Sequence, residues 1–519
     1  MLTRVSRSKM VVRLGAQSLS SMTTTPPPVS KYYSRRNIEF NLLENPELIP
    51  PTCNVADMTA VLDAAESFVS RFSHMEKQFD TIEPEFDPIS GSVALAPNTK
   101  PLLDAYVETG FTNMGAGGLE LPYVLQCGVN SITMAPFTSG VLGHWVLTQC
   151  AANLLREHGS AELVSLYHSK MIGGEWTGTM ALSETQAGSS LSFITTKATE
   201  TSTAGTYSIT GSKMWTTAAD HTLYPNIVHM LLAKTDKGIS LFLVPKFIVK
   251  QDGSLGERNS YEIGGVNHKM GSRGMSNCYW SLEGATGYLV GREGQGMQCM
   301  FTMMNEMRIH VGLGAAFCGV RGLQESLTYA VERRQGKQEG TLEQRPIVEY
   351  SDVKRMLLAQ KAFSEGAMAL CLFAAGLTES KDKQDKMLLE VLTPMVKAWP
   401  SEWCLEANKW AVQVLGGYGY TRDFPLEQVY RDNRLNMIHE GANGILAITL
   451  LARSTQLAGG EGWRLLSTRI RKCVDRATAS GVVKGGISGL PLGEMAWQLD
   501  KAEARLSRVT GVMTEALGG

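Results

Sequence analysis

A change of hydrophobic period near Trp176 most constrains how this chain of 519 residues can fold. Before that point apolar residues recur at every third or fourth position, as in Ala56–Met75 after the Pro50–Pro51 break, which predicts amphipathic helices. Beyond it the apolar runs are short and alternating, as in Tyr207–Thr217, which predicts strands. After Gly296 long helical periods return. The chain is therefore predicted to be α+β, with a central antiparallel β domain between an N-terminal and a C-terminal helical bundle.

The same change of period predicts the domain boundaries. The length of the chain allows several domains, each with a core of its own. Helical spacing continues on both sides of a glycine-rich break at Gly481–Gly493, which indicates a C-terminal extension of unassigned role. We predict a leader at 1–36, an N-terminal helical domain at 37–176, a middle β domain at 177–292, a C-terminal helical bundle at 293–457 and the helical extension at 458–519.

The start of the chain has the composition of a targeting segment. No acidic residue precedes Glu39, whereas seven Lys and Arg residues do, and Ser and Thr fill much of the rest. Met10–Val12 with Leu14 could form the apolar face of a short basic amphipathic helix. This pattern is typical of a mitochondrial transit peptide and predicts import into the mitochondrial matrix. The alternative interpretation is a disordered basic tail.

Composition argues against several classes of protein. With 49 Lys and Arg against 50 Asp and Glu, the chain lacks the excess of positive charge of nucleic-acid-binding proteins. No run of about 18 apolar residues predicts a membrane-spanning helix. The nine cysteines form no CxxC or Cys/His cluster, so neither a disulfide scaffold nor a metal site is predicted. The 52 glycines form neither GxGxxG nor a P-loop, which disfavours those nucleotide sites.

Three other segments carry residues suited to a planar cofactor or to acid–base chemistry. Ala181–Ser190 is rich in small and hydroxyl residues, whose backbone N–H groups can approach a heterocycle or a phosphate. Gly211–Thr217 places a Trp between hydroxyl residues, as a stacking surface requires. The glycine-rich Gln413–Thr421 precedes Glu440, which lies among apolar residues, and burial there would raise its pKa toward that of a useful general base. Taken singly, each has an ordinary interpretation as a connecting loop, a packed Trp or a helix-capping or surface Glu.

Together these segments resemble the acyl-CoA dehydrogenase superfamily. The resemblance extends from about Asn37 to Arg453. It implies the helix–sheet–helix fold of that family and FAD-dependent oxidation of an acyl-CoA thioester. The family motifs TEPxAGSD, GxKxWIT, KMGxRGS, YAxERxQG and QxxGGxGY…RD…IYEGTNGI stand here as Ser183–Ser190, Gly211–Thr217, Lys269–Ser276, Tyr329–Gly336 and Gln413–Ile445.

Four further segments look like the 3-methylmercaptopropionyl-CoA dehydrogenase group within that superfamily. This likeness implies a short or medium acyl chain, or a 3-methylthiopropanoyl chain, as the substrate. Chain length, branching and thioether content depend on the depth of a cavity that no single motif reports. The segments are Tyr33–Phe40, Asn267–Gly271, Gly284–Gly291 and Met300–Asn305.

The resemblance implies that FAD lies between the β domain and the C-terminal bundle, with part of the site supplied by a second subunit. Trp215 and Thr217 would pack against the isoalloxazine ring and hydrogen-bond near N5. Arg333 and Gln335 would reach the pyrophosphate of the FAD of the other subunit. Such sharing implies a homodimer or a homotetramer. The implied cofactor-binding residues are Met180, Leu182, Ser183, Gly188, Ser189, Trp215, Thr217, Arg333, Gln335, Gln413, Gly416, Gly417, Ala442 and Gly444.

The resemblance also implies that Glu440 is the catalytic base. It would remove the α-proton of the thioester while the β-hydrogen leaves as a hydride to flavin N5, and the electrons would pass to electron-transfer flavoprotein. The backbone N–H of Glu440 and a flavin ribityl hydroxyl would stabilise the enolate-like charge. Met307 occupies the position of the base in some other members, and its neighbour Glu306 is expected to face elsewhere. The implied substrate-binding residues are Ser189, Asn305, Arg308 and Gly441.

Several residues depart from the family pattern, and two alternatives stay open. Ala442 stands where Thr is usual and removes a hydroxyl contact to FAD worth about 1 kcal/mol. One alternative is an acyl-CoA oxidase, which the lack of a C-terminal SKL signal disfavours. The other is a non-catalytic flavoprotein or assembly factor on the same fold. The remaining departures are Thr185 for Pro, Ser190 for Asp, His439 for Tyr, Gly444 for Gln, and Tyr350–Ser351 for a His-Gln pair.

Overall fold

The structure is a computed structural model that describes residues 31–43, 53–115, 117–337, 340, 342–479 and 492–518. Most of the predicted leader and most of the glycine-rich break Gly481–Gly493 lie outside the described residues. The described part has helices at both ends of the chain and a seven-stranded sheet between them. This architecture confirms the predicted α+β class.

The N-terminal part is helical where the three-four spacing of apolar residues predicts it. The segment predicted as Ala56–Met75 is helical over Val55–Phe72. The Asn54 side chain accepts a hydrogen bond from the Asp57 N–H and so satisfies one of the free donors at the helix start. The helices of this part are α1 (Arg35–Leu43), α2 (Val55–Phe72), α3 (Glu76–Thr81), α4 (Thr99–Glu108), α5 (Tyr123–Thr133), α6 (Gly143–His158), α7 (Ala161–Leu163) and α8 (Ser169–Ile172), and strands β1 (Glu85–Asp87) and β2 (Ser92–Ala94) form a hairpin between α3 and α4.

The described residues include a helix that starts before residue 37, the predicted start of the N-terminal domain. Helix α1 starts at Arg35, and Tyr33 ahead of it is buried against the core. The Arg35 guanidinium lies within 3.2 Å of carboxylate oxygens of Asp63 and Glu66 on α2. Arg35, which continues the basic run of the predicted leader, is therefore paired with α2 in the described structure.

The central sheet is mixed, so the prediction of an antiparallel domain is wrong for part of it. Strand β6 pairs in parallel with β3 and β4, whereas the other pairings in this sheet are antiparallel. Alternation of apolar residues indicates that a segment is a strand, but it does not indicate the direction of that strand relative to its neighbours. The direction depends on the connections between strands. The strands are β3 (Thr177–Ala181), β4 (Lys197–Glu200), β5 (Thr206–Thr217), β6 (Ile227–Thr235), β7 (Gly238–Pro245), β10 (Tyr261–Val266) and β11 (Asn277–Val290), with a β8–β9 hairpin (Phe247–Val249, Leu255–Arg258) beside them.

Three long helices form the core of the C-terminal bundle. Their backbones approach closely, since a Cβ at Gly312 would lie 2.2 Å from the Val396 carbonyl oxygen. Only glycine fits such a contact, so this position fixes the spacing of two helices. The elements are α9 (Gly296–Glu332), β12 (Arg334–Lys337), β13 (Gln344–Pro346), α10 (Ser351–Thr378), α11 (Lys383–Leu415), α12 (Leu426–Arg434), α13 (Asn443–Ala452), α14 (Glu461–Ala479) and α15 (Leu492–Gly518).

Helix α10 is long and apolar enough to cross a membrane by length and composition alone. Its buried residues, which include Ala367, Cys371 and Ala374, pack within the main hydrophobic core. The core helix of a globular protein has the same composition for this reason. The apolar character of α10 is thus accounted for by packing within the bundle.

Candidate active site

A buried ion pair holds two of the predicted cofactor segments together. Lys213 on β5 donates from Nζ to Glu184 Oε1 at 3.0 Å and to the Leu182 carbonyl oxygen at 3.0 Å. Both charged side chains are fully buried. The loop Ser183–Ser190 is therefore fixed to the strand that carries Trp215.

The Glu184 carboxylate is surrounded by hydrogen-bond donors. Its Oε2 accepts from the Thr195 N–H at 2.6 Å and from the Thr195 hydroxyl at 2.8 Å, and its Oε1 accepts from the Thr196 N–H at 3.0 Å. Burial would by itself raise the pKa of Glu184. Hydrogen bonds from Thr196 and Thr195 and the charge of Lys213 outweigh burial and lower that pKa to about 2. The predicted site residues omit Glu184 and Lys213, although both are charged residues inside the quoted motifs.

Trp215 presents an aromatic face on the surface of the sheet. Its side chain is 58% exposed, and its backbone is left-handed with φ of 64°. The Asn277 side chain supports this conformation by donating to the Trp215 carbonyl oxygen at 3.0 Å and to the Thr217 hydroxyl at 3.2 Å. An exposed indole beside a hydroxyl group suits stacking against a planar heterocycle.

The other predicted residues of this surface lie on β3 and the loop that follows it. Gly188 and Ser189 are exposed in the loop, and a Cβ at Gly188 would meet nothing within 4 Å, so the backbone there is open to a ligand. Ser183 is half-buried, and its carbonyl oxygen accepts from the Met214 N–H at 3.0 Å. We call the surface formed by Met180, Leu182, Ser183, Trp215 and Thr217 the β-domain wall.

The candidate base Glu440 lies in the turn between α12 and α13. Glu440 and Gly441 both have positive φ, at 53° and 92°. Arg308 Nε on α9 contacts the Glu440 carbonyl oxygen at 3.5 Å, and Lys397 Nζ on α11 donates to the Gly441 carbonyl oxygen at 2.7 Å. Glycine is required at 441, because φ is left-handed and a Cβ would lie 3.2 Å from Leu446 Cδ2. The turn is thus held from two helices.

The Glu440 carboxyl group has the acidity of a base that works near neutral pH. Burial raises its pKa to about 7, although the charges of Arg308 and Lys397 act to lower it. Within the part of the chain that the structure describes, no N–H or O–H group donates to this carboxylate. The neighbouring His439 is neutral, because burial first, and then nearby lysines, lower its pKa to about 3. A carboxyl group in this setting can take up and release a proton.

Helix α9 supplies the other predicted residues near the turn. Asn305 and Arg308 are half-buried, and Met307 is buried. Glu306 faces α6, where Asn153 Nδ2 lies 3.4 Å from its Oε1 and 3.2 Å from its Oε2. Burial raises the pKa of Glu306 to about 7. The site therefore has a second carboxyl group of similar acidity, directed toward the N-terminal helices.

The predicted pyrophosphate residues line a surface cleft of about 520 Å³. Arg333 directly follows α9 and Gln335 lies on β12, whereas Gly416 and Gly417 follow α11 and the exposed Gln413 lies in its last turn. Among the described residues Arg333 contacts Gln335 Oε1 at 3.5 Å and has no carboxylate within ion-pair distance. A guanidinium without a counter-ion beside open glycine backbone suits phosphate oxygens.

The predicted residues Ala442 and Gly444 lie at the start of α13. Ala442 is the N-cap residue and has no side-chain hydrogen bond to the helix. Gly444 is exposed, and a Cβ there would meet nothing within 4 Å. This helix start is therefore accessible, and it lacks the hydroxyl that a Thr at 442 would supply.

One short segment joins the β-domain wall to the turn of Glu440. Asn277 supports Trp215, and a few residues earlier the Ser272 N–H donates to Asp432 Oδ1 on α12 at 2.6 Å. The positive charge of Lys269 in the same segment lowers the pKa of His439, which is next to Glu440.

The cleft lined by Arg333 and Gln335 shares no lining residue with the β-domain wall or with the turn of Glu440. Within the described residues, the predicted cofactor-binding residues thus form separate groups.

Comparison with known protein families gives two matches. Residues 179–285 match the acyl-CoA dehydrogenase middle domain, and residues 294–455 match the acyl-CoA dehydrogenase C-terminal domain. The first range contains three of the five family motifs, and the second contains the other two.

The chain is also similar to individual dehydrogenases. It is 33% identical over 443 residues to 3-methylmercaptopropionyl-CoA dehydrogenase of Ruegeria pomeroyi, which covers 82% of this chain and 73% of that protein. It is 34% identical over 380 residues to butyryl-CoA dehydrogenase of Syntrophomonas wolfei, covering 68% of this chain and 61% of that protein. A mitochondrial short/branched chain specific acyl-CoA dehydrogenase of Rattus norvegicus is 28% identical over 57% of this chain and 64% of that protein.

Solved structures show the same fold. Butyryl-CoA dehydrogenase of Megasphaera elsdenii superposes with a TM-score of 0.62 at 20% identity, covering 77% of this chain and 98% of that chain. An acyl-CoA dehydrogenase of Geobacillus kaustophilus gives a TM-score of 0.63 at 18% identity, with 78% and 100% coverage. At this level of identity the likeness concerns the fold.

Proposed function

The chain belongs to the acyl-CoA dehydrogenase family of FAD-dependent oxidoreductases, and we propose that it oxidises an acyl-CoA thioester to the trans-2-enoyl-CoA with Glu440 as the base. The observation that carries this proposal is the Glu440 carboxyl group, which has a pKa of about 7 and no donor among the described residues. Bound FAD supplies the hydride acceptor for such a reaction. Glu440 supplies the proton acceptor for the α-carbon.

The turn of Glu440 supports the removal of a weakly acidic proton. The α-proton of a thioester is far less acidic than a carboxylic acid, so negative charge on the thioester oxygen must be stabilised as the proton leaves. The backbone N–H of Glu440 donates to no acceptor among the described residues, and we propose that it donates to that oxygen. The base and the proposed oxyanion donor therefore belong to one residue. The contacts that hold the turn position both groups.

The two groups of predicted cofactor residues suit different parts of FAD. The exposed indole of Trp215 and the Thr217 hydroxyl would hold the planar ring, with Met180, Leu182 and Ser183 beside them. The Arg333 guanidinium, which has no carboxylate partner among the described residues, and the open backbone at Gly416 would hold the pyrophosphate. Because the cleft is separate from the wall, we propose that each FAD is bound by two subunits of a homodimer or homotetramer. Gln335, Gln413, Gly417, Ala442 and Gly444 complete the proposed cofactor contacts.

The proposed substrate is a short or medium acyl-CoA or 3-methylthiopropanoyl-CoA, and the proposed electron acceptor is electron-transfer flavoprotein. The likeness to the Ruegeria pomeroyi and Syntrophomonas wolfei proteins supports this choice of acyl chains. Asn305, Arg308 and Gly441 would lie along the acyl group, and Ser189 near the CoA end of the thioester.

Mitochondrial import remains a proposal that rests on the basic leader alone. Most of the leader lies outside the described residues, and the relatives reported above are bacterial except for the rat protein. A fluorescent protein fused to residues 1–36 tests it. Cytosolic fluorescence in a eukaryotic cell would contradict it.

The first experiment is an anaerobic titration of the purified protein with 3-methylmercaptopropionyl-CoA and butyryl-CoA, followed by the flavin absorption band. We expect the wild type to bleach and Glu440→Gln to keep its flavin without bleaching. The relative rates with the two thioesters report the preferred chain. A protein that binds FAD but bleaches with no thioester would contradict the proposal and indicate a non-catalytic flavoprotein. Oxygen consumption without an added acceptor would indicate an oxidase.

A further inference from the structure

Lys397 is a buried lysine whose ammonium group faces the turn of Glu440. It lies on α11 between Pro394 and Pro400, and it is fully buried. Nζ donates to the Gly441 carbonyl oxygen at 2.7 Å and to Asn443 Oδ1 at 3.0 Å. No carboxylate of the described residues lies within ion-pair distance of Nζ. A buried charge held only by neutral oxygens costs free energy of desolvation, so packing does not account for this side chain.

Other groups on the same face of α11 hold the residues after Glu440. The Ser401 hydroxyl, one turn after Lys397, donates to Asn443 Oδ1 at 3.2 Å. Asn443 Nδ2 donates to the Ala398 carbonyl oxygen at 3.3 Å and to Glu402 Oε2 at 3.2 Å. Both ends of the Asn443 amide are therefore bound to α11. The turn is fixed immediately after the base.

The backbone of the turn requires this support. Glu440 has a φ of 53°, a conformation that costs a non-glycine residue on the order of 1 kcal/mol or more. A turn released from α11 could relax to negative φ, which would redirect the Glu440 side chain. The peptide that follows Gly441 is held by Lys397, so the lysine opposes that relaxation directly.

We propose that Lys397 is a positioning residue for Glu440, because it fixes the Gly441 carbonyl and holds a positive charge beside the carboxylate. The inference rests on the proposed role of Glu440 as the base. Lys397 acts through Glu440 and contacts neither substrate nor cofactor in this role.

The charge of Lys397 acts among a small number of other titratable groups. Burial lowers the pKa of Lys397 to about 8, so the ammonium form predominates at neutral pH. Loss of the Lys397 charge would leave, among the described residues, one cation that lowers the pKa of Glu440. The other titratable groups near the turn are Arg308 on α9, which is that cation, the neutral His439, Lys269, the neutral thiol of Cys150 on α6, Glu306 on α9, whose pKa burial also raises to about 7, and Glu402 on α11.

The test compares Lys397→Met with Lys409→Met, a matched change at an exposed position of the same helix. We expect Lys397→Met to move the acidic limb of the pH profile of kcat/KM for butyryl-CoA upward by about one pH unit, because the carboxylate loses a neighbouring cation. We also expect kcat to fall by about 10-fold to 100-fold through misplacement of the base, with KM changed less. Lys409→Met should keep the wild-type profile.

Two further variants separate charge from position. Ser401→Ala weakens the support of Asn443 without removing a charge, so it should lower kcat and leave the acidic limb in place. Lys397→Arg keeps the charge and should also leave the limb near its wild-type position, with reduced kcat. These two variants decide the question if Lys397→Met does not fold. The proposal would be overturned if the acidic limb of the pH profile is displaced in Lys397→Arg. It would also be overturned if kcat is unchanged in both Ser401→Ala and Lys397→Arg.

An infrared titration gives the acidity of Glu440 without turnover. The band of its protonated carboxyl group is identified by its loss in Glu440→Gln, and its midpoint should rise in Lys397→Met. If Glu440→Gln retains full activity, the base assignment fails, whatever Lys397 does. If Glu440→Gln is inactive while Lys397→Met keeps the wild-type midpoint and kcat, only the inference about the lysine fails.

Discussion

Glu184 and Glu440 are two glutamates in one candidate active site, and their pKa values are displaced in opposite directions. The pKa of Glu184 is lowered to about 2 and that of Glu440 is raised to about 7. Burial raises the pKa of both. Glu184 differs because Lys213, Thr195 and Thr196 donate hydrogen bonds to its carboxylate. Local hydrogen-bond donors therefore decide whether such a carboxylate stays ionised or remains able to exchange a proton.

This difference assigns the two residues different roles. Glu184 stays ionised throughout the neutral range, so it serves to bind its loop to β5 through Lys213. Glu440 has charges near it but no donor among the described residues, so its proton affinity is set by burial against Arg308 and Lys397. Substitutions that change one side of this contrast at a time separate the two roles.

The largest expected effect is on catalysis at Glu440. Glu440→Gln should slow flavin reduction by acyl-CoA by about 10²-fold to 10⁴-fold, because a positioned general base contributes that much. Stopped-flow absorbance under anaerobic conditions measures the rate. FAD content should stay at the wild-type level, and a rate within a factor of a few of wild type would rule out Glu440 as the base.

The second effect is on stability at Glu184. Glu184→Gln leaves the Lys213 ammonium buried without an anionic partner, so the free energy of unfolding should fall by about 3–5 kcal/mol. Denaturant unfolding followed by Trp fluorescence measures it, together with FAD retention. The double variant Glu184→Gln/Lys213→Met should recover part of the lost stability. If the losses of the two single variants simply add in the double variant, the two side chains do not stabilise the fold as a pair.

The third effect is the pH dependence of stability at Glu440. An acid with a higher pKa in the folded than in the unfolded chain destabilises the fold where it is ionised, so this cost grows from about pH 4 to about pH 7 and stays constant above. Glu440→Gln removes it and should gain about 1–2 kcal/mol of stability over wild type between about pH 5 and pH 8. Thermal melts of both proteins across this range measure the difference. A difference that does not change with pH would show that Glu440 has an ordinary pKa.

The smallest effect adds a hydroxyl next to Glu440. Ala442→Ser places an N-cap side chain on α13, whose N-cap residue has no side-chain hydrogen bond at present. It should raise the free energy of unfolding by about 0.5–1 kcal/mol. Melting curves measure it, with Ala447→Ser inside the same helix as the matched control. If the acidic limb of the pH profile of kcat/KM moves to lower pH, the new hydroxyl also donates to the Glu440 carboxylate.

The order of helices, sheet and helices was predictable because it depends on local periodicity. The helix predicted as Ala56–Met75 ends at Phe72, and β5 begins within a residue of its predicted start. The parallel pairing of β6 with β3 was not predictable, because alternation along a strand carries no information on direction. Likewise, the pairing of Arg35 with α2 was not predictable, because it joins residues distant in the sequence.

The candidate site was predictable where a motif carries it, and not where it depends on tertiary contacts. Glu440, Trp215 and Arg333 lie in segments whose residue types already suggest chemistry. Lys397 has no such signal, because it is one lysine in a long helix and its partner Gly441 lies 44 residues away. The roles of Glu184 and Lys213 follow from their contact with each other, which the spacing of two motifs does not report.

Among the described residues the guanidinium of Arg333 has no carboxylate partner, and this has a consequence for assembly. In the proposed arrangement one FAD molecule bridges two chains, so binding of the cofactor and association of the chains are linked equilibria. If association of the chains raises the affinity for FAD by some factor, saturating FAD raises the affinity between the chains by the same factor. Dilution of the protein should then release cofactor, and loss of cofactor should promote separation of the chains. Charge removal at position 333 is expected to weaken this reciprocity while leaving the acidity of Glu440 unchanged.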